Sequence, residues 1–172
     1  MKNVEILFAR PTYHPFPLFA WAIMLFQGEI PWFRKSSSHC VIRYEDNGVT
    51  FCTHITGAGV HWETNEKFLK SYEVTKVYKV DGEYPLVSVR QWINQRLNVE
   101  YDRKQITGFV IQFLGLTKDN MFGSDLKKYV CSEFCADFMS TFKGWELGDS
   151  DNWDLNKLEV GLVREKEARR TA

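Results

Sequence analysis

Short stretches of alternating apolar and polar residues, and longer stretches with apolar residues at helical spacing, divide this chain of 172 residues into strands and amphipathic helices. Alternation predicts strands at residues 4–8, 39–44, 49–56 and 72–80. Helical periodicity predicts helices at residues 18–27, 64–69, 85–97, 103–114 and 131–142, and a further short helix from Leu155. No repeat, low-complexity segment or interdomain linker interrupts this order, so we expect one domain over residues 1–172.

The clearest local pattern is a β-hairpin centred on Asn47-Gly48. An Asn-Gly pair between two apolar runs is typical of a tight two-residue turn. If these residues are the centre of the turn, the numbers of paired positions add up to 95, which fixes the register of the two strands. Side chains alternate along a strand, so His39 and His54 are predicted on one face as diagonal neighbours, about 7 Å apart or less.

Cys131 is predicted to lie at the start of a helix. Phe134 and Phe138 follow it at helical spacing, whereas the aromatic and β-branched residues just before it favour extended backbone. A thiol at a helix N-terminus lies beside free backbone N–H groups and the positive end of the helix dipole, which lowers its pKa. Cys131 is therefore a candidate nucleophile, and His39 and His54 are candidates for its base and the group that orients the base.

The use of cysteine indicates a reducing compartment. The chain has four cysteines, Cys40, Cys52, Cys131 and Cys135, and its first residues include no apolar run that ends at a small-residue cleavage site. We therefore expect free thiols and a cytoplasmic protein, with which a bacterial or phage origin is compatible. Cys40 and Cys135 are expected in the core, and Cys52 on the same strand face as the histidines.

Charge and hydropathy exclude some partners. The formal net charge is zero and the pI is about 6.9, so no overall field attracts nucleic acid or an anionic membrane. The most apolar stretch, residues 16–26, is too short to cross a bilayer and contains Pro17. We expect it to form a buried helix or to line an apolar groove, and we expect no transmembrane segment.

Two other classes of function compete with catalysis. Cys52 and His54, together with Cys131 and Cys135, offer four ligands for a metal ion, but the Cys-x2-Cys and His-x3-His spacings of structural zinc sites are missing. A catalytically silent binding module of the same fold is the second alternative. His61 is predicted to lie in a turn and to be solvated.

Four short motifs occur in a characteristic order: Ser38-His39-Cys40-Val41-Ile42, then His54, then Tyr101-Asp102, and then Tyr129-Val130-Cys131-Ser132-Glu133. This order resembles that of the circularly permuted papain-like cysteine hydrolases of the NlpC type, which are related to the lecithin:retinol acyltransferase group. In that family the Ser-His pair supplies the base, a His or Glu on the next strand is the third member, and the Cys of Cys-Ser-Glu is the nucleophile. Cys40 departs from the small apolar residue usual at its position, and a His as third member matches the acyltransferase branch.

The resemblance implies a fold and a mechanism. The fold would be α+β, with a small antiparallel sheet packed against helices in the permuted papain-like (NlpC-type) arrangement, and with a catalytic core over about residues 36–143. Cys131 would attack an amide or ester carbonyl, His39 would act as general base, and His54 would hold the tautomer of His39.

The resemblance also suggests substrate classes. A small peptide, a peptidoglycan fragment or a lipid acyl group would be the substrate, and Tyr101 and Ser132 are expected to contact it. The high aromatic content, 15%, favours an apolar substrate slightly. We expect no metal, no cofactor and no nucleic-acid partner, and the sequence does not predict the oligomeric state.

Overall fold

The computed structural model describes residues 2–13, 20, 23–24, 36–80, 82, 84–97, 99–113, 115–117, 128–146 and 154–168. Within these ranges the chain is α+β, with a five-stranded antiparallel sheet, a pair of short parallel strands and five helices. Most of the predicted helix at residues 18–27 lies outside the described residues. Its described members, Ala20, Ile23 and Met24, are helical and buried.

The main sheet is built from strands in the order β4-β3-β2-β1-β5. Its strands are β1 (Lys2–Pro11), β2 (His39–Asp46), β3 (Val49–Thr56), β4 (Gly59–Thr64) and β5 (Tyr72–Val80). The predicted hairpin register is confirmed, because the pairs run from Ile42–Thr53 to Asp46–Val49. Asn47 and Gly48 have positive φ angles of 51° and 79°, as a tight turn of this type requires.

Sequence analysis did not predict β4, although it predicted the bounds of β5. Thr56 and Gly59 pair across a short turn, and β4 continues the sheet as an edge strand. The prediction that His61 lies in a turn was therefore wrong: it is a strand residue directly opposite His54.

Five helices and the small second sheet complete the described chain. The helices are α1 (Asn65–Ser71), α2 (Leu86–Asn94), α3 (Arg103–Phe113), α4 (Cys131–Lys143) and α5 (Leu155–Ala168), and β6 (Glu100–Tyr101) pairs in parallel with β7 (Lys128–Tyr129). Thr64 caps α1, since its hydroxyl accepts a hydrogen bond from the Lys67 N–H at 3.3 Å. In the described part of the chain, no helix is both long and apolar enough to cross a bilayer.

The two faces of the main sheet are covered by different helices. Helix α4 packs on β2 and β3, and its Phe134 belongs to the large core that also contains Cys40 and Ile42. The opposite face is covered by α1, whose Phe68 packs with Val41 and other buried residues of the sheet. Because neighbouring residues of a strand face opposite sides, β2 contributes to both cores.

Candidate active site

The two histidines predicted to be neighbours are in direct contact. His39 is the first residue of β2, His54 lies on β3, and His39 Nε2 is 2.8 Å from His54 Nδ1. Both rings are buried, and Tyr72 stacks on His39 with ring centroids 5.2 Å apart. The hairpin register thus places the rings together, and Tyr72 limits how the His39 ring can turn.

Cys131 is the first residue of α4, as the sequence predicted. The residue before it, Val130, is extended, and the first helical hydrogen bond runs from the Phe134 N–H to the Val130 carbonyl at 3.1 Å. The carboxylate of Glu133 accepts from the Val130 N–H at 3.1 Å. Backbone N–H groups in the first turn of a helix have no acceptor within the helix, so the sulfur lies at an electropositive position.

The environment of Cys131 favours its thiolate. A hydrogen bond with the Cys40 side chain lowers the pKa of Cys131 well below the ordinary value; burial opposes this, and the hydrogen bond and charge of His39 reinforce it. The pKa of Cys40 is raised instead, chiefly by burial and then by its hydrogen bonds with Cys131 and Cys135. Cys40 therefore remains a thiol that donates to Cys131, a role that sequence analysis did not give it.

A fourth polar side chain, Glu63 on β4, fixes the direction of the hydrogen bonds. Its Oε1 is 3.2 Å from His54 Nε2, and because a carboxylate only accepts, His54 must donate from Nε2. Burial, followed by the charges of His39 and His61, lowers the pKa of His54 to about 2, so its ring is neutral and carries one N–H. His54 Nδ1 then accepts from His39 Nε2, which leaves His39 Nδ1 for Cys131. This nitrogen accepts from the thiol and, once it is protonated, donates to the thiolate.

A pocket of about 410 Å³ opens beside these residues. It is lined by His39 and Tyr72, by Tyr101, and by apolar side chains that include Ile23 and Ile55. Burial, followed by the charge of Cys131, raises the pKa of Tyr101, so its phenol keeps its proton. The pairing of β6 with β7 holds Tyr101 beside Tyr129, just ahead of Cys131 in the chain.

Ser132, the other predicted substrate contact, is placed less favourably than Tyr101. Ser132 is buried, with 3% exposure, and does not line the pocket that His39 lines. Cys131 itself is also only 3% exposed and does not line this pocket, whereas His39 does. Tyr101 lies in the wall of this pocket and Ser132 does not, and the contact of either residue with a substrate stays a prediction.

The sequence patterns above did not point to Glu63, because they did not indicate β4. Val60, His61, Trp62 and Glu63 alternate in polarity after a short Gly-containing turn, and this pattern could have indicated a strand. On such a strand His61 and Glu63 share a face, and the confirmed hairpin register would have placed them beside His54.

The four-ligand metal cluster considered from the sequence is not formed in the described part of the chain. Cys52 belongs to the core on the α1 side of the sheet, whereas Cys131 and Cys135 belong to the core on the α4 side. Among the described residues, a different group, His54, His61 and Glu63, has its ligand atoms close together, within 4.8 Å of one another.

No family model matches the chain, and no curated protein matches it either. The permuted papain-like family is thus still a resemblance carried by short motifs. The geometry adds that Cys131, which is far from the two histidines in the sequence, forms one hydrogen-bonded group with His39 and His54 beside a pocket.

Proposed function

We propose that this protein is a cysteine-dependent hydrolase or acyltransferase that acts on an amide or ester, with a permuted papain-like (NlpC-type) arrangement of its site. The observation that carries the proposal is the continuous series of hydrogen bonds Cys131–His39–His54–Glu63 next to a pocket. A thiol, an imidazole that accepts its proton and a group that orients the imidazole are what nucleophilic catalysis needs.

The first half of the reaction forms a thioester. His39 Nδ1 takes the proton of the Cys131 thiol, and the sulfur attacks the carbonyl carbon of the substrate, whose π electrons move to the oxygen. When this intermediate collapses, the bond to the leaving amine or alcohol breaks, and His39 returns the proton to that group. His54 stabilises the imidazolium by accepting from His39 Nε2, and Glu63 keeps His54 in the tautomer that can accept.

The second half removes the acyl group from the sulfur. His39 takes a proton from water, or from an acceptor alcohol or amine, whose oxygen or nitrogen attacks the thioester carbonyl. The Cys131 sulfur leaves, and the thiol regains its proton from His39. Whether water or another acceptor attacks decides between hydrolysis and acyl transfer.

Negative charge on the carbonyl oxygen is stabilised at the start of α4. We propose that the backbone N–H of Cys131 donates to this oxygen, because hydrogen-bond donors that point at a developing charge contribute strongly to catalysis. The protonated phenol of Tyr101, in the wall of the same pocket, is proposed as a further donor to the substrate.

The pocket favours an apolar group on the acyl side of the substrate. Ile23, Ile55 and Ala20 contribute apolar side chains to its wall, while Arg103 adds a cation. A lipid acyl chain with an anionic head group matches this combination, because guanidinium binds phosphate and carboxylate well. Peptides and peptidoglycan fragments with an apolar side chain and a free carboxylate form the second class.

The experiment that tests this function is detection of the acyl-enzyme. The protein is mixed with p-nitrophenyl esters of increasing acyl chain length, and intact-mass and peptide mass spectrometry locate the adduct. We expect a single acyl group on Cys131 that hydroxylamine releases, and faster acylation by longer chains.

The matched control is Cys135→Ser, one helical turn away in the same helix, which should still be acylated. Cys131→Ser should form no thioester. If the folded wild-type protein forms no adduct, or forms it on another cysteine, the proposed function is wrong.

A further inference from the structure

A second group of potential ligands lies on the far side of His54 from the pocket. His61 and Glu63 sit on one face of β4, and His61 pairs directly with His54 across the sheet, with ring centroids 4.3 Å apart. One ligand atom from each of His54, His61 and Glu63 lies within 4.8 Å of the other two. Two imidazoles and one carboxylate are a donor set suited to Zn²⁺ and similar ions.

The spacing of these atoms is close to what a metal ion needs. Ligands at about 2.0–2.1 Å from a tetrahedral Zn²⁺ are separated from each other by about 3.3 Å. His54 Nε2 and Glu63 Oε1 are already 3.2 Å apart. His61 is half-buried on an edge strand, so its ring has room for the movement, on the order of 1 Å, that would complete the set.

The atoms of these side chains that would not bind the ion already have hydrogen-bonding or charged partners, as is usual for metal ligands. His61 Nδ1 is 3.2 Å from the Gly59 carbonyl, which leaves Nε2 for a metal ion. His54 Nδ1 is bound to His39, and the second oxygen of Glu63 faces the Lys67 ammonium at 3.5 Å. These outer contacts orient the ligands before any ion is bound.

We propose that His54, His61 and Glu63 form a binding site for Zn²⁺ or a similar divalent transition ion, and that an ion bound there switches off the Cys131 nucleophile. The binding half of this inference is independent of the proposed function, whereas the switching half rests on it. Water would occupy the fourth position around the ion.

The switch follows from which nitrogen of His54 carries the proton. A metal ion binds the lone pair of His54 Nε2, so Nε2 cannot keep the proton with which it hydrogen-bonds Glu63. The neutral ring of His54 then carries its one proton on Nδ1. Nδ1–H becomes a donor to His39 Nε2 and can no longer accept from it. His39 must then carry its single proton on Nδ1, the nitrogen that faces Cys131.

Both forms in which His39 activates Cys131 are lost in this state, and a neutral Nδ1–H can support the thiolate only as a hydrogen-bond donor, without the positive charge that also lowers the pKa of Cys131. His39 Nδ1–H cannot take the proton from the Cys131 thiol. An imidazolium at His39, with a proton on each nitrogen, would place its Nε2–H against the Nδ1–H of metal-bound His54. The ion therefore acts on the nucleophile through two rings, without touching the sulfur.

Metal binding is tested directly with the Cys131→Ser protein, in which the nucleophilic thiol cannot compete for the ion. Zn²⁺ is titrated by isothermal calorimetry and by competition with a chromophoric chelator. We expect one site per chain, and a loss of affinity of at least about 10-fold in His61→Ala and in His61→Gln. Trp62→Phe, on the same strand but exposed on the other side, is the matched control and should bind as before.

Switching is tested by the rate at which iodoacetamide alkylates Cys131, with and without Zn²⁺. We expect the ion to slow wild-type alkylation by about 10-fold or more, and to change the rate of His61→Gln little at the same concentration. Co²⁺ in place of Zn²⁺ should give no thiolate-to-metal absorption band in the wild-type protein, which excludes direct ligation by the sulfur.

The outcomes separate the two proposals. Absent binding, or binding that the His61 variants leave unchanged, overturns the metal site. Binding that leaves alkylation unchanged, or a thiolate band with Co²⁺, overturns the switch. A Cys131 that is unreactive even without metal contradicts the proposed function, and the titration then decides the metal site alone.

Discussion

The pKa values of two buried cysteines on neighbouring elements are shifted in opposite directions. Cys131 at the start of α4 is 3% exposed and Cys52 on β3 is fully buried, yet the pKa of Cys131 is lowered. The pKa of Cys52 is raised to about 12, by burial first; Arg43 opposes the shift and Glu63 adds to it. Burial is common to both residues, so the groups around each sulfur decide whether it ionises.

Burial in the middle of β3 disfavours the charged form of a side chain, whether that side chain is an acid or a base. Burial also lowers the pKa of His54 to about 2, so both an acid and a base are kept neutral there. The start of α4 supplies what β3 lacks: free backbone N–H groups, the His39 ring and the donating thiol of Cys40. A reactive cysteine in this molecule is therefore distinguished by its donors and not by its exposure.

The largest expected effect is a difference in reactivity between the two thiols. Near pH 7, a thiol with an ordinary pKa is only a few per cent ionised, and one with the pKa of Cys52 is ionised to about 1 part in 10⁵. We expect iodoacetamide to alkylate Cys131 at least ~10³-fold faster than Cys52, as measured by peptide-resolved mass spectrometry.

Unfolding in urea is the control for this measurement, since both cysteines should then react at similar rates. His39→Gln should slow the alkylation of Cys131 by about 10-fold and move the midpoint of its pH profile upward, because the imidazole no longer stabilises the thiolate. Equal alkylation rates for the two cysteines in the folded protein would contradict the difference in pKa between Cys131 and Cys52.

A smaller effect is expected in acid, through His54. The unfolded ring binds a proton near pH 6.5, whereas the folded ring binds one only near pH 2, so the unfolded state gains a proton as the pH falls between these values. The free energy of unfolding should decrease by about 1.4 kcal/mol per pH unit from this residue, or ~3 kcal/mol from pH ~6 to pH ~4.

Urea denaturation at several pH values measures this slope. His54→Gln has no proton to gain, so its stability should fall less steeply with acid by about one proton, whatever its stability near pH 7. Identical slopes for the variant and the wild-type protein would show that β3 does not keep His54 neutral.

The smallest effect is expected in alkali, through Cys52. Its thiol ionises near pH 9 in the unfolded chain and near pH 12 in the folded protein, so stability should decrease as the pH rises above 9. The expected contribution is about 1 kcal/mol from pH ~9 to pH ~10. Cys52→Val retains the shape of the side chain and should lower the alkaline slope by one proton, while the other buried thiols and phenols affect both proteins equally.

Local signals predicted the parts of the site that lie within one element or one hairpin. Asn47-Gly48 fixed the register that brings His39 to His54, and the spacing of Phe134 and Phe138 placed Cys131 at a helix start. These patterns depend on neighbouring residues only, so they can be recognised without knowledge of the tertiary structure.

The rest of the site depends on contacts between distant parts of the chain. The hydrogen bond between Cys40 and Cys131 arises because α4 packs on β2, which no local pattern specifies. Glu63 lies on an edge strand in which the apolar Trp62 is 54% exposed, whereas the polar residues on either side of it are more buried. Hydrophobicity therefore did not indicate which residues of this strand are buried.

The order of the chain also bears on when the sulfur becomes reactive. His39 and His54 are only 15 residues apart, and a tight hairpin joins them, so we expect their contact to form early and at little entropic cost. Cys131 is synthesised much later and meets His39 only after α4 has docked on the sheet. We therefore expect a nascent or partly folded chain to carry an ordinary, weakly nucleophilic thiol, whose pKa falls only when α4 has docked on the sheet.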